Sequence, residues 1–139
     1  MSILGDDGLA VLEAANNGPV TGYGVAYEPV QVEGFIEHTK DRIIASVKII
    51  DAAEQNMKVK RRAYDHAFAH AMTTAPGPEY ARKAAATLAA EGAKADADDA
   101  EIAFHHAQRE ARSLEKELFA WQSILNSVRA TYNATGGRG

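Results

Sequence analysis

AEGAKADADDAEIAFHHAQREARSLEKELFAWQSILNSVRATY, residues 90–132, is the stretch that decides the fold of this chain. Its small and apolar residues recur at alternating spacings of three and four, which are the a and d positions of a heptad repeat. The pattern predicts a helix that buries one narrow stripe against another helix. The series consists of Ala90, Ala93, Ala97, Ala100, Phe104, Ala107, Ala111, Leu114, Leu118, Trp121, Leu125, Val128 and Tyr132.

A second heptad series precedes it and supplies the partner helix. Large residues recur at every seventh position, and smaller ones follow three residues later, a pattern typical of two helices that approach closely. The large positions are Ile36, Ile43, Ile50, Met57, Tyr64 and Ala71, and the others are Thr39, Ser46, Ala53, Lys60 and Ala67. The sequence therefore predicts an all-α protein with two long helices.

The breaker TTAPGP, residues 73–78, separates the two series. Two prolines and a glycine end a helix, and a short turn makes the flanking helices antiparallel neighbours. We expect an antiparallel two-helix coiled-coil hairpin with helices over 32–73 and 78–133 and a turn at 74–77. Gly92 lowers the helix propensity of the second helix, so we consider a local break near it.

The ends of the chain lie outside this pattern. Residues 1–31 are predicted to form an irregular N-terminal arm, in which Asp6 or Asp7 caps a short helix that ends at NNGP, residues 16–19. An extended segment follows, since Tyr23, Val25 and Tyr27 alternate along it. Residues 134–139 are predicted to be a flexible tail.

The arms of the predicted hairpin differ in length. Folding the chain about residue 76 places Ile36 near residue 116, so no part of the first helix is expected beside the residues after Glu117. The apolar stripe nevertheless continues there, and an uncovered stripe of this size indicates an interface. Either the N-terminal arm or a second copy covers it, and we expect a homo-oligomer. The predicted oligomer interface consists of Leu118, Trp121, Leu125, Val128 and Tyr132.

Composition excludes several classes of protein. The 139 residues suit one domain, and the absence of cysteine excludes disulfides and thiolate metal sites. A net charge of −4 argues against strong DNA binding by the chain alone. No apolar stretch approaches the ~20 residues of a membrane span, and Asp6 and Asp7 stand where a signal peptide carries basic residues. We therefore expect no membrane partner and a location in the cytoplasm.

One basic run stands out, formed by Lys58, Lys60, Arg61 and Arg62, with Tyr64 just beyond it. In one interpretation it contacts the phosphates of single-stranded DNA while Tyr64 offers a stacking surface. In the other, it lies opposite Glu91 and the acidic cluster of residues 96–99 and pairs with those carboxylates. The sequence leaves both interpretations open.

Enzymatic signatures are missing. His66 and His70 have a metal-ligand spacing, but neither an HExxH motif nor a third ligand accompanies them, and His105 and His106 are expected far away. The chain has no Ser/His/Asp arrangement, phosphate loop or dinucleotide fingerprint. We predict no catalytic residue, no cofactor, no metal and no enzymatic activity.

Residues 62–132, about half of the chain, resemble small helical proteins of tailed bacteriophages. The resemblance rests on RAYDHAFA (62–69) before the breaker, ARKAAATLAA (81–90), and above all LFAWQSILNSVR (118–129). Such proteins are accessory factors of phage recombination and replication, found with single-strand annealing or single-strand binding proteins. The resemblance implies the same class of partner here.

Together these observations predict a non-enzymatic phage accessory or adaptor protein that assists DNA recombination or replication by self-assembly and partner binding. Its expected partners are a second copy, a recombinase or single-strand binding protein, and single-stranded DNA. Its expected location is the host cytoplasm. Two alternatives stay open, namely a structural or assembly component of the virion and an inhibitor that binds a host protein.

Overall fold

The computed structural model describes residues 27–135, which contain three helices and no strand. They are α1 (Pro29–Thr74), α2 (Glu79–Ala89) and α3 (Glu91–Thr135). The all-α prediction is confirmed over this range. The predicted short helix near the N-terminus, most of the predicted extended segment and the glycine-rich tail lie outside the described residues.

Helix α1 begins at Pro29, a few residues before the predicted start. Proline suits the first helical position, because its missing N–H would have no partner inside the helix there. The N–H of Val32 donates to the Glu28 carbonyl at 3.1 Å and so closes the first turn. At the other end, the Thr73 and Thr74 hydroxyls donate to the His70 carbonyl, each at 2.9 Å. The breaker then follows where the sequence predicts it.

Gly77 allows the chain to turn between α1 and α2. Its φ of +99° lies in the left-handed region, which costs glycine no steric strain. Pro78 is extended and precedes the first residue of α2. The Pro78 carbonyl accepts hydrogen bonds from Ala81 and Arg82 at 3.1 and 3.0 Å, so the new helix is closed within one turn.

The predicted helix over 78–133 is interrupted at Ala90, which has φ −95° and ψ 4°. The interruption is short, since Ala90 donates to the Ala86 carbonyl and accepts from the Lys94 N–H, both at 2.9 Å. Gly92, near which a break was considered, lies inside the first turn of α3. The helix thus breaks at alanine, the residue with the highest helix propensity.

The chain falls into two compact units, which we describe separately. The described part of unit 1 consists of residues 27–45 and 111–135, and unit 2 is Ser46–Glu110. The core of unit 1 is built from large side chains. It comprises Val32, Phe35, Ile36, Trp121 and Leu125, and Tyr27, Leu118 and Ile124 pack against it.

Trp121 is the centre of unit 1, with none of its surface exposed. Its ring lies 4.5 Å from that of Phe35 and 5.5 Å from that of Tyr27, centroid to centroid, and the contact with Tyr27 is edge-to-face. Aromatic pairs at these distances add about 0.5–1.5 kcal/mol to the effect of area burial. Tyr27 lies two residues before Pro29, so its contact with Trp121 attaches the start of α1 to α3.

Two ion pairs show the direction of the segments in unit 1. Glu33 pairs with Arg129 at 2.6 Å, and Arg42 pairs with Glu117 at 3.3 Å. Earlier residues of α1 therefore meet later residues of α3. The expectation that no part of the first helix lies beside the residues after Glu117 is wrong, because both pairs are centred near residue 80, so the chain folds back several residues later than the assumed point at residue 76.

Unit 2 has a core of small side chains, with one long side chain, that of Met57. Small residues allow helix backbones to approach closely, and they leave little apolar area to bury per residue. Within unit 2, the buried positions of α1 all belong to the predicted heptad series. The buried residues of unit 2 are Ser46, Met57, Ala71, Ala86, Ala90, Ala97, Ala100 and Ala107.

Candidate functional site

The basic run of α1 is divided between paired and unpaired residues. Lys58 pairs with Glu54 one turn earlier at 3.0 Å, and Arg61 pairs with Glu101 of α3 at 3.2 Å. Within residues 27–135, neither Lys60 nor Arg62 has a carboxylate within 4 Å. Each of the two interpretations of the run therefore fits only some of its members.

Two shallow grooves of unit 2 explain this division. Lys60 lines one together with Asp96 and Asp99. Arg61 lines the other together with Lys94, Asp98 and Glu101. Lys60 and Arg61 thus face the acidic segment of α3, although Arg61 forms its ion pair with Glu101 and not with the predicted Glu91 or residues 96–99. Tyr64, the predicted stacking residue, is half-buried beside Arg61.

Arg62 differs from its neighbours because it lines neither groove and is exposed. Positions four residues apart lie on one side of a helix, so Lys58, Arg62, His66 and His70 form one row along α1. We call these four residues the basic row. His66 and His70 are exposed, with ring centroids 6.3 Å apart and planes inclined by 20°.

The other histidines stand in a different electrostatic setting. His105 lies 3.7 Å from Glu101, and His106 lies 3.3 Å from Glu110, each on α3. No carboxylate lies within 4 Å of His66 or His70 in the part of the chain that the structure describes. That part also holds no cluster of three or more His, Asp or Glu side chains arranged to bind a metal.

Part of the predicted oligomer interface is buried in the core of unit 1 instead of being exposed. Trp121 and Leu125 are buried in the core of unit 1, and Leu118 packs against that core. Val128 is half-buried, whereas Tyr132 is 57% exposed. The interface is predicted here because the apolar stripe is expected to be uncovered. In the structure, α1 covers the first part of that stripe. The interface stays a prediction that now depends mainly on Val128 and Tyr132.

Helix α2 carries an apolar stripe that the sequence analysis overlooked. Tyr80, Ala84 and Leu88 are spaced by four on one side of it, and all three are exposed, Tyr80 to 78% and Leu88 to 73%. The buried residues Ala86, inside this helix, and Ala90, directly after it, belong to a different side. The sequence contains a signal for this stripe, because Tyr80 and Leu88 are large residues at a helical spacing and belong to neither heptad series.

Unit 1 also contains a largely buried ion pair. The side chain of Glu117 is 11% exposed and that of Arg42 is 33% exposed. Burial raises the pKa of Glu117 above its ordinary value, although the positive charge of Arg42 and, to a smaller extent, that of His38 act to lower it. This carboxyl is therefore the acid whose protonation most directly affects unit 1.

Comparison with known proteins adds no further assignment: no family model matches the chain, and neither a curated protein nor a solved structure matches it. Within residues 27–135, none of the helices has the length and apolar character needed to cross a bilayer. The surfaces described above therefore carry the evidence for function.

Proposed function

We propose that this chain is a non-enzymatic accessory protein of a tailed phage that assists DNA recombination or replication in the host cytoplasm by binding another protein and a second copy of itself. The observation that carries the binding role is the exposed stripe of Tyr80, Ala84 and Leu88. Large apolar side chains exposed on one helix face are typical of protein interfaces. The resemblance of residues 62–132 to phage accessory proteins supports the biological setting.

The proposed architecture is an antiparallel coiled-coil hairpin. Its support in unit 1 is the pairing of Glu33 with Arg129 and of Arg42 with Glu117. In unit 2, the support is the pair between Arg61 and Glu101, which joins α1 to α3. Such a hairpin would serve as a rigid spacer, with α2 presenting its stripe to the partner protein.

Self-association is the second part of the proposal. The apolar series of α3 continues through Val128 to Tyr132, and Tyr132 is largely uncovered by the described residues. We expect light scattering of the purified full chain to give a mass above that of one copy. The double variant Val128→Ala, Tyr132→Ala should lower that mass while keeping the helical circular dichroism. A monomeric wild-type chain would contradict self-association.

The partner role is tested with two probes, a phage single-strand annealing protein and a bacterial single-strand binding protein. Wild-type chain should bind one of them in a titration followed by biolayer interferometry. Tyr80→Ala, Leu88→Ala should weaken this binding at least tenfold, because it removes the stripe and spares the buried residues. Phe119→Ala is the matched control, since Phe119 is 72% exposed in unit 1. Binding to neither probe would contradict the proposal.

The two alternatives predict different locations of the protein. A virion component would be recovered in purified phage particles, and an inhibitor would be captured with a host protein that has no role at DNA. Either result, obtained together with no binding to the two probes, would replace the accessory function with that alternative.

A further inference from the structure

The basic row presents an anion-binding surface that is distinct from the rest of the basic run. A helix rises by about 6 Å over four residues, so successive members of the row stand about 6 Å apart along α1. Lys58 is held by Glu54, whereas Arg62, His66 and His70 have no carboxylate within 4 Å among residues 27–135. Three neighbouring side chains are thus available to a ligand.

The imidazole rings of His66 and His70 define the kind of ligand. They are nearly parallel, with planes inclined by 20° and centroids 6.3 Å apart. A base stacked at about 3.4 Å from each ring needs about 6.8 Å between the two rings, so these exposed side chains would move slightly apart to hold one. Histidine is one of the side chains on which unpaired bases stack. The pair therefore offers two nearly parallel ring faces to one unpaired base.

Arg62 stands one helical turn from His66, towards Lys58. A guanidinium binds phosphate through two parallel hydrogen bonds, and it is the residue type best suited to this task. A base held between the histidines would carry its backbone phosphate towards the Arg62 side chain. Lys60 and Arg61, in contrast, face the acids of α3.

We propose that Arg62, His66 and His70 form a contact site for single-stranded DNA, in which Arg62 binds a phosphate and the two imidazoles stack on one base. The choice of ligand for this site rests on the proposed function. The site gives different roles to the four residues predicted to contact nucleic acid. Arg62 contacts the strand, Lys58 contributes at the end of the row, and Lys60 and Arg61 serve unit 2 instead. A site of this size explains how a chain with net charge −4 binds a strand weakly and locally.

The test measures binding of a fluorescent oligothymidine to the full chain by anisotropy, at several salt concentrations and pH 7.5. We expect Arg62→Ala to weaken binding and to reduce the slope of log K against log salt by about 0.7, the value for one phosphate contact on a single strand. The matched control is Arg61→Ala, which removes a neighbouring arginine that pairs with Glu101. The control should leave both affinity and slope close to wild type.

The histidines are tested by His66→Ala, His70→Ala. Loss of stacking on one base should lower affinity about 5- to 150-fold, with little change in the salt slope at pH 7.5. The matched control is His105→Ala, His106→Ala, the pair that lies beside Glu101 and Glu110 on α3. Since all these side chains are exposed, helical circular dichroism should stay at the wild-type level for every variant.

Several outcomes would overturn this site. These are an equal loss for Arg61→Ala and Arg62→Ala, equal affinity for duplex and single strand, or preference for a single-stranded RNA of the same length. Failure of the site is distinguishable from failure of the proposed function. If the chain binds an annealing protein but no oligonucleotide, only the site is wrong. If it binds the oligonucleotide through the row but neither protein probe, the site stands and the accessory function is wrong.

Discussion

Units 1 and 2 use the same helical spacing but fill it with side chains of very different size. In unit 1, Trp121 and Phe35 are in ring contact within a buried cluster. In unit 2, the buried positions on α3 are all alanines, namely Ala97, Ala100 and Ala107. Fully burying a large side chain contributes about 1.5–3 kcal/mol, whereas a methyl group contributes less than about 1 kcal/mol. Unit 1 therefore depends on apolar burial, and unit 2 depends on close backbone approach.

The difference predicts that the units respond to opposite kinds of substitution. Removing volume should damage unit 1, because a large cavity would be left in its core. Adding volume should damage unit 2, because a larger side chain at a buried small position pushes the packed helices apart. The following predictions are ordered from the largest expected effect to the smallest.

Trp121→Ala should lower the free energy of unfolding by about 3–5 kcal/mol, the usual cost of truncating a fully buried aromatic residue. The measurement is urea unfolding of the full chain followed by far-UV circular dichroism. Phe119→Ala, two residues away and largely exposed, is the matched control and should change stability by about 0.5 kcal/mol or less. Equal losses for the two variants would show that Trp121 is not in a core formed by its own chain.

Ala100→Leu should lower the free energy of unfolding by about 1–3 kcal/mol through overpacking of unit 2. Ala100 is 5% exposed, whereas Ala95 on the same helix is exposed. Ala95→Leu should therefore be close to neutral, as alanine and leucine have similar helix propensities. Thermal unfolding measures both. A stabilising effect of Ala100→Leu would mean that the small-residue core of unit 2 contains unfilled space.

Two double-mutant cycles compare an Arg–Glu pair from each unit. The Arg42–Glu117 pair is largely buried and should couple by about 1.5–3 kcal/mol, as hydrogen bonds to charged groups do. The Arg61–Glu101 pair is exposed, 51% and 42%, and should couple by about 0–1 kcal/mol. Coupling energies come from urea unfolding of single and double alanine variants. The reverse order would contradict the burial that separates the two pairs.

The pH dependence of unit 1 should show the raised pKa of Glu117. A raised pKa means that the folded state retains this proton to a higher pH than the unfolded state. The associated stability is therefore complete below about pH 4.3, the ordinary glutamate pKa, and is lost as pH rises through the raised value. Glu117→Gln should remove this loss when urea unfolding is compared from pH 4 to pH 7. Arg42→Met removes the largest pKa-lowering charge, so it should extend the loss to higher pH.

Much of the fold could be predicted from the sequence because strong local signals determine it. The turn at TTAPGP and the heptad positions of α1 required only breaker chemistry and periodicity. The sequence indicates a break near Gly92, and the helix is interrupted two residues earlier, at Ala90. The register could not be predicted: folding the chain about residue 76 places Arg42 near residue 110 and Glu33 near residue 119, whereas these residues pair with Glu117 and Arg129. This difference in register makes Trp121 look uncovered in the sequence.

For the candidate site, the sequence identified the basic run but not its division. Arg61 and Arg62 are adjacent and chemically identical, so only their directions around α1 separate an ion-paired residue from an unpaired one. The direction of Arg61 matters because Glu101 lies opposite it, whereas folding the chain about residue 76 places Glu91 there. Spacing alone already placed His66 and His70 together on one side of α1.

The interruption at Ala90 has a consequence for how this chain tolerates changes in length. One residue advances an α-helix by about 100°, so an insertion or deletion between Ala89 and Glu91 would rotate the side of α2 that holds Tyr80 and Leu88. Because α2 is a separate helix of 11 residues, such a change would leave the seam of α3 in phase. A single-codon insertion or deletion there would therefore redirect that side of α2.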